Sequence, residues 1–411
     1  MPAADRFLAP LISAWRGADS RMTDMCTPES DLDLFDDAVL QDPYAAYQQL
    51  RDAGPVVWMR ATQMFAIPRF ADVKEALRNW QVFSSAHGAA MNDPVNAAIA
   101  GNTLGSDPPL HGQLRGVLSR PLGPEAMRAI TGQLEAEAEQ LVAGLVARGH
   151  FDAATELAPH LPVTVISHLV GLPERGRERM LDWGQAAFNT LGPMNARCQG
   201  SFDIAMGLVN YAQTLARADL KPGGWAAQAF EAADRGEITE AQARGLLLDY
   251  VGPSLDTTIL AITSAVWLFA LHPEAWEALR ANTGLLPQAI NEVLRLESPI
   301  QVFSRYVVSD HEIEGCQLPA GSRAMVLYGS ANRDERQWPE PERFDIGRKA
   351  AEQLAFGFGP HQCVGLPLAR LEMRVVLAAL LRRVRRFEIR DVQRELNNTL
   401  RGLKRCEVTV L

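Results

Sequence analysis

The apolar positions of this chain change period several times, and each change marks a separate element. Between Gly54 and Phe70 the runs "GPVVWM" and "QMFAIPRF" are short and rich in β-branched and aromatic residues, which predicts a pair of strands. "ADVKEALRN", just behind them, has helical spacing. From Pro124 to Gly149 the residues Met127, Ile130, Leu134, Leu141 and Leu145 fall on one helical face, with a proline suited to the first turn and a glycine to the cap. The same spacing predicts helices over about 157–170, 239–271, 273–281 and 287–296, after which "VFSRYVV" and "RAMVLYG" read as strands. The pattern predicts a mainly α chain with a minor β region. No repeat or low-complexity linker divides it, so one large domain over 35–411 is expected behind a loose leader at 1–34, where Met22 and Met25 offer later starts.

Composition narrows the class. Of the 411 residues, 47% are hydrophobic and 22% charged, enough to bury a large core and too apolar for a disordered polymer. The net charge of −9 is spread with both signs interleaved and no basic run, so no nucleic-acid partner is expected. No apolar run approaches the roughly 20 residues of a membrane span, so no membrane anchor is expected either. The cysteines Cys26, Cys198, Cys316, Cys363 and Cys406 are scattered, with no C-x-x-C pair and no zinc-type Cys/His cluster, a usage that suits a reducing cytoplasm.

One stretch concentrates unusual chemistry. In "LAFGFGPHQCVGLPLAR", residues 354–370, Gly357 and Gly359 precede Cys363 and Gly365 follows it, so the backbone there can take crowded geometry and leave room for something flat. Leu368, Leu371, Val375 and Ala378 then form a helical stripe, which places Cys363 near a helix amino terminus, where N–H groups favour a thiolate and hence a metal ligand. A lone cysteine in a glycine-rich turn is by itself an inert core residue. A dinucleotide loop does not fit, because Gln362 stands where the third glycine of G-x-G-x-x-G should be.

The spacing Phe356, Gly359, Cys363, Gly365, in the order F-x-x-G-x-x-x-C-x-G, resembles the haem-binding loop of the cytochrome P450 family, and the resemblance runs from about Phe35 to the carboxyl terminus. It implies a single haem-thiolate fold, with haem b held at Phe356, Gly357 and Gly365 and Cys363 as the axial iron ligand. "NEVLR" supplies Glu292 and Arg295, three apart on one helix face, a pair that alone would be an ordinary surface salt bridge. The resemblance implies that both join Arg343 of "PERFDI" in a buried structural network. In "DPPLHGQLRGVLSR", His111 and Arg115 point the same way from one helix. The resemblance implies that these two, with Arg305 and His361, bind the haem propionates.

The long apolar stretch "LLLDYVGPSLDTTILAITSAVWLFAL" is interrupted by polar residues that are costly unless they find partners or face a cavity. The resemblance makes Asp256 and Thr257 the catalytic acid–alcohol pair beside the dioxygen site, with Asp256 relaying protons from solvent. Pro253 and Ser254 depart from the family's usual small residue and glycine. Since proline lacks an N–H, an opened helix between Gly252 and Asp256 is the expectation.

These parts imply a monooxygenase that inserts one atom of O2 into a C–H bond of a small apolar, aromatic substrate by hydroxylation or oxidative O-demethylation. Its electrons would come from NAD(P)H through a separate flavin-dependent ferredoxin reductase and an iron–sulfur ferredoxin, docking on Arg115, Arg120, Arg370 and Arg374. The rivals are a non-catalytic haem-thiolate binding or sensor protein, which has no need of Asp256 and Thr257, a peroxide-driven enzyme, which generally lacks that pair, and a monooxygenase of terpenoids. A thiol hydrolase is disfavoured because Cys363 has no base with the right local signature.

"LYGSANRDERQWPEPERFDI" and "LNNTLRGL" look especially similar to bacterial members that demethylate methoxybenzoates. Between Trp80 and Leu114, however, there is no Arg or Lys to hold a carboxylate, only polar residues such as His87 and Asn92. The expected pocket is His87, Met91, Phe188, Asp249, Gly252, Ile300, Val302, Phe303 and Leu400. Asp249 lies almost two turns before Asp256 on the same helix, so it should sit above the haem, repel a benzoate and accept a hydrogen bond from a phenol, alcohol or amine.

Overall fold

A computed structural model describes residues 27–411, apart from the side chains at 166, 167 and 177. Most of the expected leader, with Cys26, Met22 and Met25, lies outside the described residues. The leader's last part does not lie loose: Glu29–Ser30 pairs in parallel with Val57–Met59, so the folded body begins before the expected boundary at 35.

The helix Glu240–Leu271 is the axis of the molecule. It opens on a capping box in which Thr239 Oγ1 accepts from Gln242 N (3.2 Å) and Gln242 Oε1 accepts from Thr239 N (2.7 Å). It is long and apolar enough to cross a membrane, but it is the core helix here, with neighbours packed along its length. The helices Met180–Thr190 and Ala196–Thr214 pack on one side of it, and Leu286–Leu296 and Leu366–Arg383 on another. Pro253 does not open it. Helical geometry continues through the proline, so the expected break between Gly252 and Asp256 is not found. Only the one N–H that Pro253 lacks is missing, and the bonded turns on either side hold the rest in register.

The minor β region is a six-stranded sheet with spatial order Glu29–Ser30, Val57–Met59, Met64–Ile67, Arg323–Leu327, Val302–Val307, Phe83–Ser84. Both expected strand pairs belong to it. Phe303 pairs with Val326 and Arg305 with Ala324, and the two-residue period turns Phe303 and Arg305 to one face and Val302 and Ser304 to the other. A second sheet, Phe387–Arg394, Leu403–Val410 and His150–Asp152, closes the far end. The helix expected over 157–170 is instead a regular piece, His160–Val165, between π-helical turns at Ala153–Leu157 and Ile166–Val170. Pro159 and Pro162 remove the N–H groups that a continuous helix would use there.

Candidate active site

The cysteine loop is fixed by its backbone. Cys363 N donates to Phe356 O (2.8 Å), Gly357 N to Leu354 O (2.8 Å) and Gln362 N to Gly359 O (3.1 Å). Gly357 and Gly359 have φ of +68° and +71°, and a Cβ on Gly359 would come within 2.5 Å of Leu77 O, so a side chain there would push the loop off the helix Phe70–Arg78. So held, Cys363 faces a cavity of about 380 Å³ under the long helix, lined also by Phe356, Gly357 and Gly365. The expectation of a helix terminus that favours the thiolate is only half met. Burial is the larger effect and pushes the thiol up, while the N–H groups of Gly365 and Leu366 and the Arg115 guanidinium pull it down.

At the rim of this cavity stand His111 and Arg115, one turn apart on Leu110–Leu118, with Arg305 from the strand and His361 from the loop. The two imidazoles lie 4.1 Å apart, centroid to centroid, and both Nε2 atoms are buried without a hydrogen-bond partner. Burial pushes both imidazoles below their ordinary range, with the Arg115 guanidinium adding to this at His111 and chiefly Arg305 at His361. Among the described residues no carboxylate pairs with Arg115 or Arg305. Two cations and two ring nitrogens thus converge on one rim, where the Asp107 carboxylate comes only to 4.0 Å from His361 Nε2 and a pair of buried propionates would supply the anions that Arg115 and Arg305 lack. With the thiol of Cys363 on the same cavity, the donor set fits haem.

Thr257 lines the cavity and Asp256 does not. Thr257 Oγ1 donates to Pro253 O (2.9 Å), which spends its one proton and leaves its lone pairs toward the cavity. Asp256 turns the other way, toward Met180–Thr190, where its Oδ2 sits so close to Gly184 that a Cβ there would be 2.3 Å from it. This Oδ2 is buried and unpartnered, and burial, with Glu395 and Asp182 nearby, pushes the carboxyl up to about 8. The folded state therefore holds this proton more tightly than the unfolded chain. The resulting stabilisation is complete below the ordinary carboxylate range and is lost as pH rises to about 8. Denaturant unfolding between about pH 6 and pH 9 should show stability falling with pH in the parent and a shallower fall in Asp256→Asn. Equal slopes would show that Asp256 is ionised throughout.

The family model described as Cytochrome P450 matches residues 160–405, more than half of the chain. The chain is a cytochrome P450. It is 37% identical to "Cytochrome p450 CYP199A2" of Rhodopseudomonas palustris, covering 92% of this chain and 93% of that one. It is 31% identical to "Cytochrome P450 monooxygenase PikC" of Streptomyces venezuelae, with 92% and 93% covered. Among solved structures, CYP109E1 from Bacillus megaterium in complex with testosterone superposes with a TM-score of 0.81 at 26% identity, over 90% of this chain and 98% of that one. Full-length CYP116B46 from Tepidiphilus thermophilus shares the fold, with a TM-score of 0.85 at 23% identity over 93% of this chain and 53% of that longer one. As a P450 the protein is an oxidoreductase that uses haem b, O2 and electrons derived from NAD(P)H through redox partners.

In this P450 the cavity gathers Phe188, Asp249, Gly252, Ile300 and Phe303, as expected, and leaves out four residues. Val302 points to the opposite face of its strand and packs with Met91 beneath the sheet. Leu400 bridges to Ile300 but lies in the layer behind the lining, against Phe188 and Leu260. His87 is exposed, with its ring 5.7 Å from that of Tyr306.

Two other expectations are corrected by side-chain partners. Glu292 and Arg295 are fully buried and joined by two bonds of 2.7 and 2.8 Å, but the Arg343 side chain turns out to Glu340 and Asp345 and offers the network only its carbonyl. The third member is Arg348, whose Nε donates to Glu292 Oε1 (3.1 Å). Nor do the four docking arginines form an open basic patch: Arg115 faces the cavity, Arg120 pairs with Glu237, Arg374 with Glu135 (3.3 Å), and Arg370 donates to Asn291 (2.7 Å). The sequence reading also passed over Thr103 and Glu372, which line the cavity. Glu372, whose carboxyl burial pushes up to about 8, carries an unpartnered Oε1. A charged residue between Leu371 and Met373, both buried, was the available signal.

Proposed function

We propose that this P450 inserts one atom of O2 into a C–H bond of a small apolar aromatic substrate, by hydroxylation or oxidative O-demethylation, with electrons from a separate iron–sulfur ferredoxin and its flavin-dependent reductase. We place the protein in the cytoplasm. The observation that carries the reading is one cavity that joins Cys363 and the rim donors His111, Arg115, Arg305 and His361 to the apolar side chains of Phe188, Ile300 and Phe303. Cys363 would ligate the haem iron, and His111, Arg115, Arg305 and His361 would hold the propionates. Haem, when bound, supplies the activation of O2, which takes two electrons and two protons to leave one oxygen in the product and one in water. Where the carbon attacked is a methoxy carbon, the hemiacetal product separates into formaldehyde and a phenol.

The chain's own residues manage protons and substrate. Thr257, its hydrogen engaged by Pro253 O, presents an acceptor that orients a proton donor in the cavity. Asp256, protonated near neutrality and turned away from the cavity, holds a proton on the side of the same helical turn that faces Met180–Thr190. The apolar wall keeps water from the reacting carbon. Thr257→Ala should still bind haem and substrate, while product formed per NAD(P)H oxidised falls roughly tenfold or more and peroxide rises to match. An unchanged ratio would remove Thr257 from the proton path and leave Ser254 or Thr258, the other cavity-lining hydroxyls near it on that helix, to supply it.

A further inference from the structure

Among the described residues, the lining away from the haem donors carries two carboxyl groups, Glu372, which burial pushes up to about 8, and Asp249. Asp249, on the long helix, faces the cavity with its Oδ2 buried and unpartnered, and the backbone and buried hydroxyl of Thr103 lie beside the carboxylate. Thr103 is not on a loose segment. Its loop closes on itself through Gly101 N to Gly105 O (3.1 Å), Asn102 N to Ile99 O (3.1 Å) and Gly105 N to Asn102 Oδ1 (2.7 Å). No cation offsets the carboxylate: among the described residues, Arg115 and Arg305 are the only arginines on the lining and neither acts on Asp249. Burial pushes the Asp249 carboxyl up to about 6, with Thr103 drawing it back, so it stays largely ionised at neutral pH.

A buried acceptor with free lone pairs is stabilised by a ligand that brings a donor and opposed by one that brings a second negative charge. Eight residues separate Asp249 from Thr257, about 12 Å of helical rise, which leaves room for a one-ring molecule with a substituent at each end. We propose that Asp249, with Thr103 beside it, is the specificity-determining group of this site, selecting substrates that carry a hydroxyl or amine donor and rejecting those that carry a carboxylate. The donor is held at the Asp249 end and the reacting carbon lies at the Thr257 end. This rests on the aromatic reading given above, and the choice of ligands separates the two.

The test is calorimetric titration of the haem-loaded protein with para-methoxyphenol, para-methoxybenzylamine, para-methylanisole and para-methoxybenzoate. The phenol and the amine should each bind roughly tenfold or more tighter than the benzoate, as one charge-assisted hydrogen bond would give. Asp249→Ser should lose that preference, gain for the benzoate and leave para-methylanisole unchanged. The isosteric Asp249→Asn, which fills the same space, should weaken the amine more than the phenol, because its amide oxygen still accepts a hydrogen bond. A parent that prefers the benzoate, an Asp249→Ser variant that keeps the phenol preference, or a phenol that gains nothing over para-methylanisole would each overturn the inference and leave the aromatic reading standing. If none of the arenes binds, the aromatic reading falls and takes the inference with it.

Discussion

Arg295→Ala is expected to destabilise the haem-loaded protein by about 3–5 kcal/mol, the cost of leaving a buried charge without its partner. Glu292 and Arg295 are both inaccessible to solvent, and Arg295 also donates to the carbonyls of Asn332 (2.9 Å) and Pro341 (2.8 Å). Asn332 in turn accepts from Leu354 N (2.7 Å), so the network ties the helix Leu286–Leu296 to the start of the cysteine loop. Alanine at 295 would strand the Glu292 carboxylate with Arg348 and the Asp345 N–H alone. Arg348→Ala removes one charged donor from Glu292 and should cost about 1.5–3 kcal/mol. Arg343→Ala removes only exposed ion pairs and should stay within about 0.5 kcal/mol. Equilibrium unfolding in denaturant of the three variants separates these values. Equal losses at 343 and 295 would place Arg343 in the network after all.

Why Arg348 was passed over shows where sequence reading stops. "PERFDIGRK" offers two arginines five apart, and which one turns inward depends on the tight turns between them, not on spacing. Cys363 and its glycines were legible because the chemistry demands fixed residue types at fixed distances. His111, Arg115, Arg305 and His361 were legible as a set for the same reason, and the cavity brings all four together. Pocket residues on regular elements could be placed only where the phase was known. Phe303 and Val302 are both apolar, and the register of the strand against Arg323–Leu327 decides between them. His87 and Met91 sit on an irregular segment, where no period predicts direction. The helices Met180–Thr190 and Ala196–Thr214 were missed because they pack against neighbours and the cavity on more than one side, which blurs the single apolar stripe that marks a surface helix. Pro253 was overread: one missing N–H within a helix of 32 residues does not break it.

The most direct measurement is the absorption spectrum of the reduced carbon monoxide complex, taken for the parent and for Cys363→Ala. Among the described residues the cavity offers the iron one cysteine sulfur, that of Cys363, whose backbone N–H is fixed to Phe356 O. Cys198 is buried elsewhere, its Sγ directed at Thr190 O (3.6 Å), and Cys316 sits on a strand, Cys316–Leu318, outside the cavity lining. Thiolate ligation gives the parent a strongly red-shifted band, which Cys363→Ala should lose together with all turnover, while Cys198→Ala and Cys316→Ala keep both. A Cys363→Ala protein that retained the red-shifted band would contradict the assignment of the site.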